Sequence, residues 1–257
     1  MGRVERTLHQ VTSPLRQLPE FLIIGGIRCG TTSMIEYLGD HPSVGIPPVG
    51  KKELHFFDRH FDRGANWYRS WFPLKGSSRG TSGESSPTYL MEPGVPERVA
   101  GLLPDVRLIV MLRDPVERAA SHFSLRRGKG SEPKSTLAAT LEDEERRLQG
   151  SSRHPGQGGA IDCYFEQGNY IKGLRKWSEQ FDREQMLVVD SAELFTDPGA
   201  VYDRTLLFLG LSPHRPQFAV HNATPRVTVE DETLSGLRER YRPLNAELEA
   251  EYGIRFD

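Results

Sequence analysis

The sequence predicts an α/β fold, in which a central parallel sheet is flanked by helices within a single domain. Residues 21–24 form a short apolar run that stops at glycines and leads into a helical pattern, and residues 106–112 begin a second unit of the same kind. Two strand-turn-helix units favour a parallel sheet, because parallel neighbours need a crossover helix between them. The 257 residues are enough for one large domain of this class.

In the first unit, the continuous apolar run FLII at 21–24 is typical of a strand that is buried on both faces of a sheet. Thr31 or Thr32 is the expected N-cap of the helix that follows, since both side chains can accept from a free backbone N–H. Residues 40–42, Asp-His-Pro, should end this helix.

In the second unit, Pro115 follows the strand at the position where a first helical turn tolerates proline. Three further helices and one more buried strand are predicted downstream. The helices are expected at 170–181, 201–209 and 234–252, and the strand at the start of MLVVDSAEL, residues 186–194.

The domain organisation that we expect is one unit over 1–257, with an N-terminal extension at 1–19 and a variable insertion at 126–168. The insertion combines charged patches with the Gly/Ser-rich segment GSSRHPGQGG. We expect it to lie on the surface near the acceptor cleft and to be partly helical around 137–148, because long loops in compact domains are commonly functional.

Composition narrows the class of protein. The formal net charge is -2, so a basic coat for nucleic acid is absent and any anion site has to be local. The two cysteines, Cys29 and Cys163, form at most one bridge, and no Cys/His spacing suggests a metal. Without a signal-like segment or a long apolar run, we expect a soluble, cytoplasmic protein with reduced thiols.

The turn GGIRCGTTS, residues 25–33, is a candidate anion site. Glycines let the backbone approach a ligand, successive N–H groups point inward, and the helix N-terminus adds partial positive charge. Arg28 within the turn could reach the same anion with its planar fork. The alternative is a tight turn without a ligand.

This turn differs from an ordinary nucleoside-triphosphate loop. Gly25 and Gly30 have the spacing of G-x-x-x-x-G-K-[ST], but Thr31 stands where the lysine should be. That lysine normally reaches the β- and γ-phosphates, so its absence argues against a magnesium-dependent kinase. Asp114 could imitate a magnesium-binding aspartate, although a salt bridge to Arg113 or Arg118 is the favoured interpretation.

A second candidate anion site follows the second strand. Arg113, Arg118 and Ser121 can converge on one side, because residues three and four apart are neighbours on a helix. A solvated helix with ordinary charge pairs is the alternative. A nucleoside with phosphate at both ends would engage both turns together.

Three segments carry a family resemblance: FLIIGGIRCGTTSMIEYLGDHPSV, KKELHFFDRHFDRGANWYRSWFP and RLIVMLRDPVERAASHFS. In this order they resemble the sulfotransferases that use 3'-phosphoadenosine 5'-phosphosulfate (PAPS). The pattern is most similar to the heparan sulfate glucosaminyl 3-O-sulfotransferase catalytic domain and its bacterial relatives, and it resumes in GNYIKGLRKWSEQF. The resemblance implies a P-loop-like sulfotransferase fold and a sulfotransferase activity.

The resemblance also implies a set of donor-binding residues. The loop would bind the 5'-phosphosulfate, with Arg28 where the family usually has lysine. Arg113 and Ser121 match the residues that hold the 3'-phosphate, and Arg226 in HNATPRV would close over the nucleotide. The remaining loop positions are Gly26, Cys29, Gly30, Thr31, Thr32 and Ser33.

For catalysis, Glu53 falls on the family's general base, which takes a proton from the acceptor hydroxyl. Burial beside Phe56 and Phe57 would raise its pKa for that task. The alternative is a surface ion pair of Glu53 with Lys52 or its neighbour. His55 is the second candidate base, with a hydrogen bond at the edge of the core as its more ordinary role, and Arg28 would stabilise the leaving phosphate.

For the acceptor, the resemblance and the aromatic cluster at 67–72 suggest Lys52, Trp67, Ser85 and Ser86 as contacts. Ser85 replaces a lysine of the heparan enzymes, which puts a polyanionic acceptor in doubt. The cluster at 67–72 is more commonly core than a sugar platform. We expect a bacterial enzyme that sulfates a sugar, lipid or natural-product hydroxyl, and the oligomeric state is left open.

The expected reaction is in-line sulfuryl transfer without a metal, releasing adenosine 3',5'-bisphosphate. Two alternatives stay open from the sequence. A magnesium-dependent P-loop phosphotransferase would need a loop lysine, and a non-catalytic PAPS-binding module would need Arg113 and Ser121 but not Glu53.

Overall fold

The computed structural model describes residues 3–48, 53–150, 163–219 and 225–256. Its centre is a five-stranded sheet in the order β2-β3-β1-β4-β5, and every neighbouring pair is parallel. The predicted α/β fold with a central parallel sheet is therefore confirmed. The strands are β1 (Phe21–Gly25), β2 (Val44–Gly45), β3 (Thr81–Ser85), β4 (Arg107–Leu112) and β5 (Met186–Asp190).

The two strands predicted from apolar runs form the middle of the sheet. Every residue of β1 is buried, as are five of the six residues of β4. Gly25 ends β1 opposite Met111, and a Cβ atom there would lie 2.1 Å from the Met111 carbonyl oxygen. Only glycine fits at this close approach, so the turn that follows β1 starts directly against β4.

Eleven α-helices are assigned within the described ranges, and several of them pack directly on the strands of the sheet. They are α1 (Arg3–Val11), α2 (Thr31–Gly39), α3 (Phe56–Arg59), α4 (Gly64–Arg69), α5 (Val95–Leu102), α6 (Pro115–Gly128), α7 (Leu137–Gly150), α8 (Tyr170–Ser178), α9 (Ser191–Thr196), α10 (Pro198–Leu209) and α11 (Asp231–Tyr252). All the helices predicted from the sequence are present, and α8 ends before Phe181.

The caps of two helices differ from the prediction. Gly30 occupies the N-cap of α2 with φ 80°, and no side chain caps this helix, so the predicted threonine cap is wrong. At α6, the Asp114 side chain accepts a hydrogen bond of 2.7 Å from the Glu117 backbone N–H. Asp114 is therefore a helix cap, which the predicted salt bridge did not anticipate.

The core has two parts. The main cluster surrounds the sheet, and a smaller one joins α6, α7 and α11 through residues that include Phe123, Leu137, Tyr164 and Tyr241. Leu137 and Tyr164 are fully buried, so the predicted surface location of 126–168 is wrong for them. The helix expected around 137–148 is present as α7, and its position relative to an acceptor cleft stays a prediction.

Both cysteines are buried and unbridged. Across the described ranges, no helix combines the length and apolar character needed to cross a bilayer. In the same ranges, no group of three His, Cys, Asp or Glu side chains is arranged to hold a metal ion.

Candidate active site

The carboxyl ends of β1 and β4 carry the first half of the candidate site. The Gly26 N–H donates to the Met111 carbonyl at 3.1 Å, and the Gly26 carbonyl accepts from the Cys29 N–H at 3.1 Å. These bonds fix the turn between β1 and α2 against the neighbouring strand. Ligands of open parallel sheets bind at this edge, beyond the carboxyl ends of the strands.

Arg28, Arg113 and Ser121 converge there, as the two anion turns predicted. The Arg28 Nε donates to the Ser121 hydroxyl at 3.1 Å, and an Arg113 Nη contacts the Arg28 carbonyl oxygen at 3.5 Å. Arg28 has φ 77°, a left-handed conformation that is strained for a residue with a Cβ. Burial and the adjacent Arg113 both lower the pKa of Arg28, so an anion placed between the two guanidinium groups would relieve their repulsion.

The first turn of α2 faces the same place. With Gly30 at the N-cap, the backbone N–H groups of Thr31, Thr32 and Ser33 have no intrahelical acceptor, which makes them the donors that an anion would use. Thr31 and Ser33 are buried and Thr32 is half-buried. Tyr37 hydrogen-bonds to the Ser33 side chain, so Ser33 can offer its N–H more readily than its hydroxyl.

Cys29, predicted as part of the phosphate-binding loop, has a buried side chain. Its side chain is fully buried and lies 3.6 Å from the Tyr170 hydroxyl, and burial raises its pKa to about 11. Its N–H is already bonded to Gly26. Cys29 therefore packs the loop against the core, and its part in phosphate binding stays a prediction.

Arg118 does not join Arg113 and Ser121, so that part of the predicted convergence is wrong. Its side chain is fully buried and donates to the Tyr164 carbonyl. The Tyr241 hydroxyl donates to the carbonyls of Tyr164 (3.3 Å) and Phe165 (2.8 Å). Arg118 thus fastens α6 to the segment that begins at residue 163.

Arg226, which is predicted to close over the nucleotide, lies beside the first turn of α6. It forms an ion pair of 2.8 Å with Glu117, and Glu117 also contacts Arg113 at 3.3 Å. The Val227 N–H donates to the Ser124 hydroxyl at 3.0 Å, which docks this segment on α6. The Glu117 carboxylate therefore links two cations that a phosphate could also bridge.

The second half of the candidate site is built on Glu53, His55 and Asp58. His55 Nε2 lies 3.3 Å from a Glu53 carboxylate oxygen, and His55 Nδ1 lies 2.9 Å from Asp58 Oδ2. Thr88 donates to the same Asp58 oxygen at 2.7 Å. The predicted burial of Glu53 is wrong, because its side chain is 48% exposed, whereas Phe56 and Phe57 turn into the core.

The imidazole of His55 is held in its charged form. Burial opposes the charge, but hydrogen bonds to Asp58 and Glu53 outweigh it and raise the pKa of His55 to about 9. A histidine that already carries both protons at neutral pH has no lone pair with which to take another. This favours Glu53 over His55 as the general base.

A buried carboxylate that the sequence did not single out organises this region. Glu84 on β3 is fully buried, and its oxygens accept from the hydroxyls of Tyr68 (2.9 Å) and Tyr89 (2.9 Å). They also accept from the Ser86 hydroxyl (2.7 Å) and the Leu54 N–H (3.2 Å). Burial raises the pKa of Glu84 against the effect of these four donors. Glu84 thereby fixes the backbone beside Glu53 to the central sheet.

The residues predicted to contact the acceptor differ from one another in burial and in hydrogen bonding. Ser85 and Ser86 are buried, and Ser86 is occupied by Glu84 and the His55 N–H. Trp67 is half-buried and stacks on Phe56 at 6.0 Å between ring centroids, within an aromatic cluster whose other members include the buried Tyr68 and Phe72. Lys52 lies outside the described residues.

Comparisons with known proteins identify the family of this chain. The family model for the sulfotransferase domain matches residues 18–235. The human heparan sulfate glucosamine 3-O-sulfotransferase 3B1 is 34% identical over 196 residues, which are 76% of this chain and 47% of that protein. The human bifunctional heparan sulfate N-deacetylase/N-sulfotransferase 3 is 31% identical over 205 residues, 77% of this chain and 23% of that protein.

A solved structure extends the match to the fold. The crystal structure of a sulfotransferase from Alicyclobacillus acidocaldarius has a TM-score of 0.74 and 29% identity, and the match covers 93% of this chain and 98% of that one. The chain spans about half the length, or less, of the curated relatives that it matches. It belongs to the sulfotransferase family, and both the predicted family and the predicted P-loop-like fold are confirmed.

Proposed function

We propose that the protein transfers the sulfuryl group of PAPS to an acceptor hydroxyl. The observation that carries the proposal is the convergence of the two anion turns, where Arg28 contacts Ser121 at 3.1 Å beside Arg113. A donor with a phosphosulfate at its 5' position and a phosphate at its 3' position would use both turns at once. In this arrangement Glu53 would accept the proton of the acceptor, and the two turns would neutralise the negative charge of the donor.

The donor set of this chain fits such a nucleotide. The open N–H groups at the start of α2 and the Arg28 guanidinium suit a phosphosulfate, and Arg113, Ser121 and Arg226 suit a second phosphate. When bound, PAPS supplies the activated sulfuryl group. Arg28 and the N–H groups then stabilise the negative charge that grows on the leaving phosphate, which preorganised donors do most effectively.

Glu53 is the proposed general base. It accepts the proton of the acceptor hydroxyl while that oxygen bonds to sulfur and the bond from sulfur to the phosphate oxygen breaks. His55, charged and held by Asp58, orients the Glu53 carboxylate at 3.3 Å. Glu84 accepts from the Leu54 N–H and Ser86 accepts from the His55 N–H, so the backbone next to the base is bonded to β3 and to the residue that follows it.

The acceptor that we propose is a hydroxyl-bearing sugar, lipid or natural product. The named relatives are heparan sulfate enzymes. This chain has Ser85 where the resemblance implies lysine, which favours an acceptor with less negative charge than heparan sulfate. A bacterial and cytoplasmic setting and a metal-free reaction stay part of the proposal.

Two other functions predict different behaviour. A P-loop phosphotransferase would require magnesium and ATP, and the position of its lysine is occupied here by Thr31. A PAPS-binding module without catalysis would keep Arg113 and Ser121 and would tolerate any residue at position 53.

The test is a transfer assay with sulfur-labelled PAPS and a panel of sugars, lipids and phenols, run with magnesium and with a chelator. We expect labelled product in both conditions and adenosine 3',5'-bisphosphate in equal amount. Phosphate transfer from ATP that needs magnesium, without transfer from PAPS, would overturn the proposal.

A further inference from the structure

A cavity of about 300 Å³ lies between the end of β3 and α8, outside the donor site. Its walls come from the turn after β3, the first turn of α5, a short 3-10 helix at Glu166–Gly168 and one face of α8. Pockets for small molecules measure roughly 300–1,000 Å³ and combine apolar walls with a few polar groups, so this cavity has the size for one compact ligand. We call it the Glu92 pocket, and its lining includes Leu90, Glu92, Pro96, Gln167, Lys172 and Lys176.

One hydrogen-bond acceptor in the lining of the Glu92 pocket has no donor among the described residues. Gln167 is 1% exposed, and its Oε1 is buried with no hydrogen-bond partner among the residues that the structure describes. An amide oxygen buried in this way costs free energy unless a donor reaches it. Because Gln167 lines the cavity, a ligand hydroxyl or ammonium group could supply that donor.

The charges of the pocket favour a cation over an anion. Both lysines are already paired, Lys172 with Glu166 at 3.1 Å and Lys176 with Glu179 at 2.8 Å. Glu92 and Glu97 also line the pocket, and neither has an ion pair within the described part of the chain. Of the charged residues that line the pocket, Glu92 and Glu97 are therefore the ones left without an ion pair in the described part of the chain, and the Arg59 and Arg98 guanidinium groups that act on Glu92 are not part of the lining.

The turn that carries Glu92 is joined to the proposed general base through Thr88, which shares a short 3-10 helix with Leu90 and donates to Asp58 at 2.7 Å. Burial and the nearby Asp58 carboxylate raise the pKa of Glu92 to about 7, against the opposing effects of Arg59 and Arg98. Asp58 in turn holds His55, which holds Glu53. Asp58 Oδ1 is itself buried without a hydrogen-bond partner among the described residues. A cation beside Glu92 would thus sit close to the carboxylates that position the base.

We propose that the Glu92 pocket is an acceptor subsite that binds a small alcohol carrying a protonated amine. The ammonium group would pair with the Glu92 carboxylate and donate to Gln167, and the apolar body would lie against Leu90 and Pro96. The inference rests on the proposed function for its role in catalysis, but its binding preference can be measured without transfer.

The experiment compares three probes of the same shape that differ in charge. They are trans-4-aminocyclohexanol, trans-cyclohexane-1,4-diol and trans-4-hydroxycyclohexanecarboxylate. Each is titrated into the full chain without PAPS at pH 8, above the pKa of about 7 of Glu92, and followed by ligand-observed NMR. We expect the amino alcohol to bind about tenfold more tightly than the hydroxy acid, as one favourable charge contact in a partly buried site would give. Equal binding of the two, or tighter binding of the hydroxy acid, would overturn the proposal.

Substitutions locate the preference in the pocket. Glu92→Gln should abolish the advantage of the amino alcohol, and Gln167→Met should weaken the amino alcohol and the diol alike. Glu20→Gln is the matched control, because Glu20 is an exposed carboxylate just before β1, at the amino ends of the parallel strands, whereas the pocket lies beyond the carboxyl end of β3. An advantage that survives Glu92→Gln would contradict the assignment, and the ranking of the probes on the unmodified protein decides the charge preference even if a variant fails to fold.

Adding labelled PAPS to the same samples separates the two proposals. Sulfation of the amino alcohol that Glu92→Gln weakens would support the subsite. No transfer to any acceptor, together with an unchanged probe ranking, would overturn the proposed function and with it the acceptor role, while leaving the binding preference of the pocket in place. Transfer to other acceptors without binding of the amino alcohol would overturn the subsite alone.

Discussion

The donor half and the acceptor half of this site are built in different ways. The donor half, the turn at 26–30 with the starts of α2 and α6, presents backbone N–H groups and arginines next to two central strands. The acceptor half, residues 53–58 with the end of β3, depends on side-chain hydrogen bonds around the buried Glu84. One half is defined by local chain geometry and the other by tertiary contacts.

This difference predicts how substitutions in each half affect nucleotide affinity, sulfuryl transfer and stability. Removal of a cation or a hydroxyl donor from the donor half should lower nucleotide affinity and leave the fold intact, because the turn is fixed by backbone bonds to β4. A change in the acceptor half should abolish transfer or destabilise the fold while nucleotide binding persists in the folded fraction. The variants below test that separation, beginning with the largest expected effect.

Glu53→Gln removes the proposed base while keeping the shape of the side chain. We expect kcat to fall roughly 100- to 10,000-fold, the usual contribution of general acid-base catalysis. The affinity for adenosine 3',5'-bisphosphate should not change, since Glu53 lies outside the donor half. Labelled-PAPS kinetics and calorimetry check the two expectations, and full activity in the variant would refute the assignment of the base.

Glu84→Ala tests the buried network. The change leaves the hydroxyls of Tyr68 and Tyr89 and the Leu54 N–H without their acceptor, so we expect the free energy of unfolding to fall by about 3 kcal/mol. Denaturant unfolding measures this, with Glu20→Ala as the exposed control. An unchanged midpoint would mean that Glu84 does not support the acceptor half.

His55 should titrate far above an ordinary histidine. Its pKa of about 9 in the folded protein exceeds the value of 6.5 expected when unfolded. Its contribution to stability is therefore complete below about pH 6.5 and is lost as the pH rises through about 9.

NMR titration of the imidazole checks this shift. Asp58→Asn should move the midpoint down towards 6.5, since it removes one of the two carboxylates that hold the charge. Asp62→Asn, which changes an exposed acid four residues after Asp58, should not move the midpoint. A midpoint near 6.5 in the unmodified protein would remove the argument against His55 as the base.

Glu117→Gln should produce the smallest effect, a gain in affinity. Glu117 pairs with Arg113 and Arg226, both of which are proposed to hold the 3'-phosphate, so it competes with the nucleotide. The pairs are partly exposed, so removing the charge should tighten binding of adenosine 3',5'-bisphosphate by about threefold. Weaker binding in the variant would show that Glu117 assists the site.

The sequence predicted the two strand-turn-helix units of the donor half because their signals are local, and the binding roles of their residues stay predictions. The apolar run of β1, the glycines after it and the spacing of Arg113 and Ser121 all lie within single strand-turn-helix units. Arg118 was one exception, since helical spacing alone could not distinguish a residue that faces the ligand from one that is buried against Tyr164. Helix periodicity places residues on a face but does not say what covers that face.

The acceptor half was predicted only in part. Motif position singled out Glu53 and His55, but the burial expected for Glu53 was wrong. The apolar Phe56 and Phe57 side chains are buried in the core, whereas the Glu53 side chain stays about half exposed. Glu84 could not be recognised, because its partners Tyr68 and Tyr89 come from different segments. Asp58 has a local signal, its i,i+3 spacing from His55, which could have been used.

Calorimetric titration with adenosine 3',5'-bisphosphate, adenosine 5'-monophosphate and ATP with magnesium is the decisive test of the proposed donor site. We expect the bisphosphate to bind most tightly and Arg113→Ala to remove its advantage over the monophosphate, whereas the control Arg79→Ala, at an exposed arginine just before β3, should not. Tighter binding of ATP with magnesium, or an advantage of the bisphosphate that survives Arg113→Ala, would contradict the assignment of this site to PAPS.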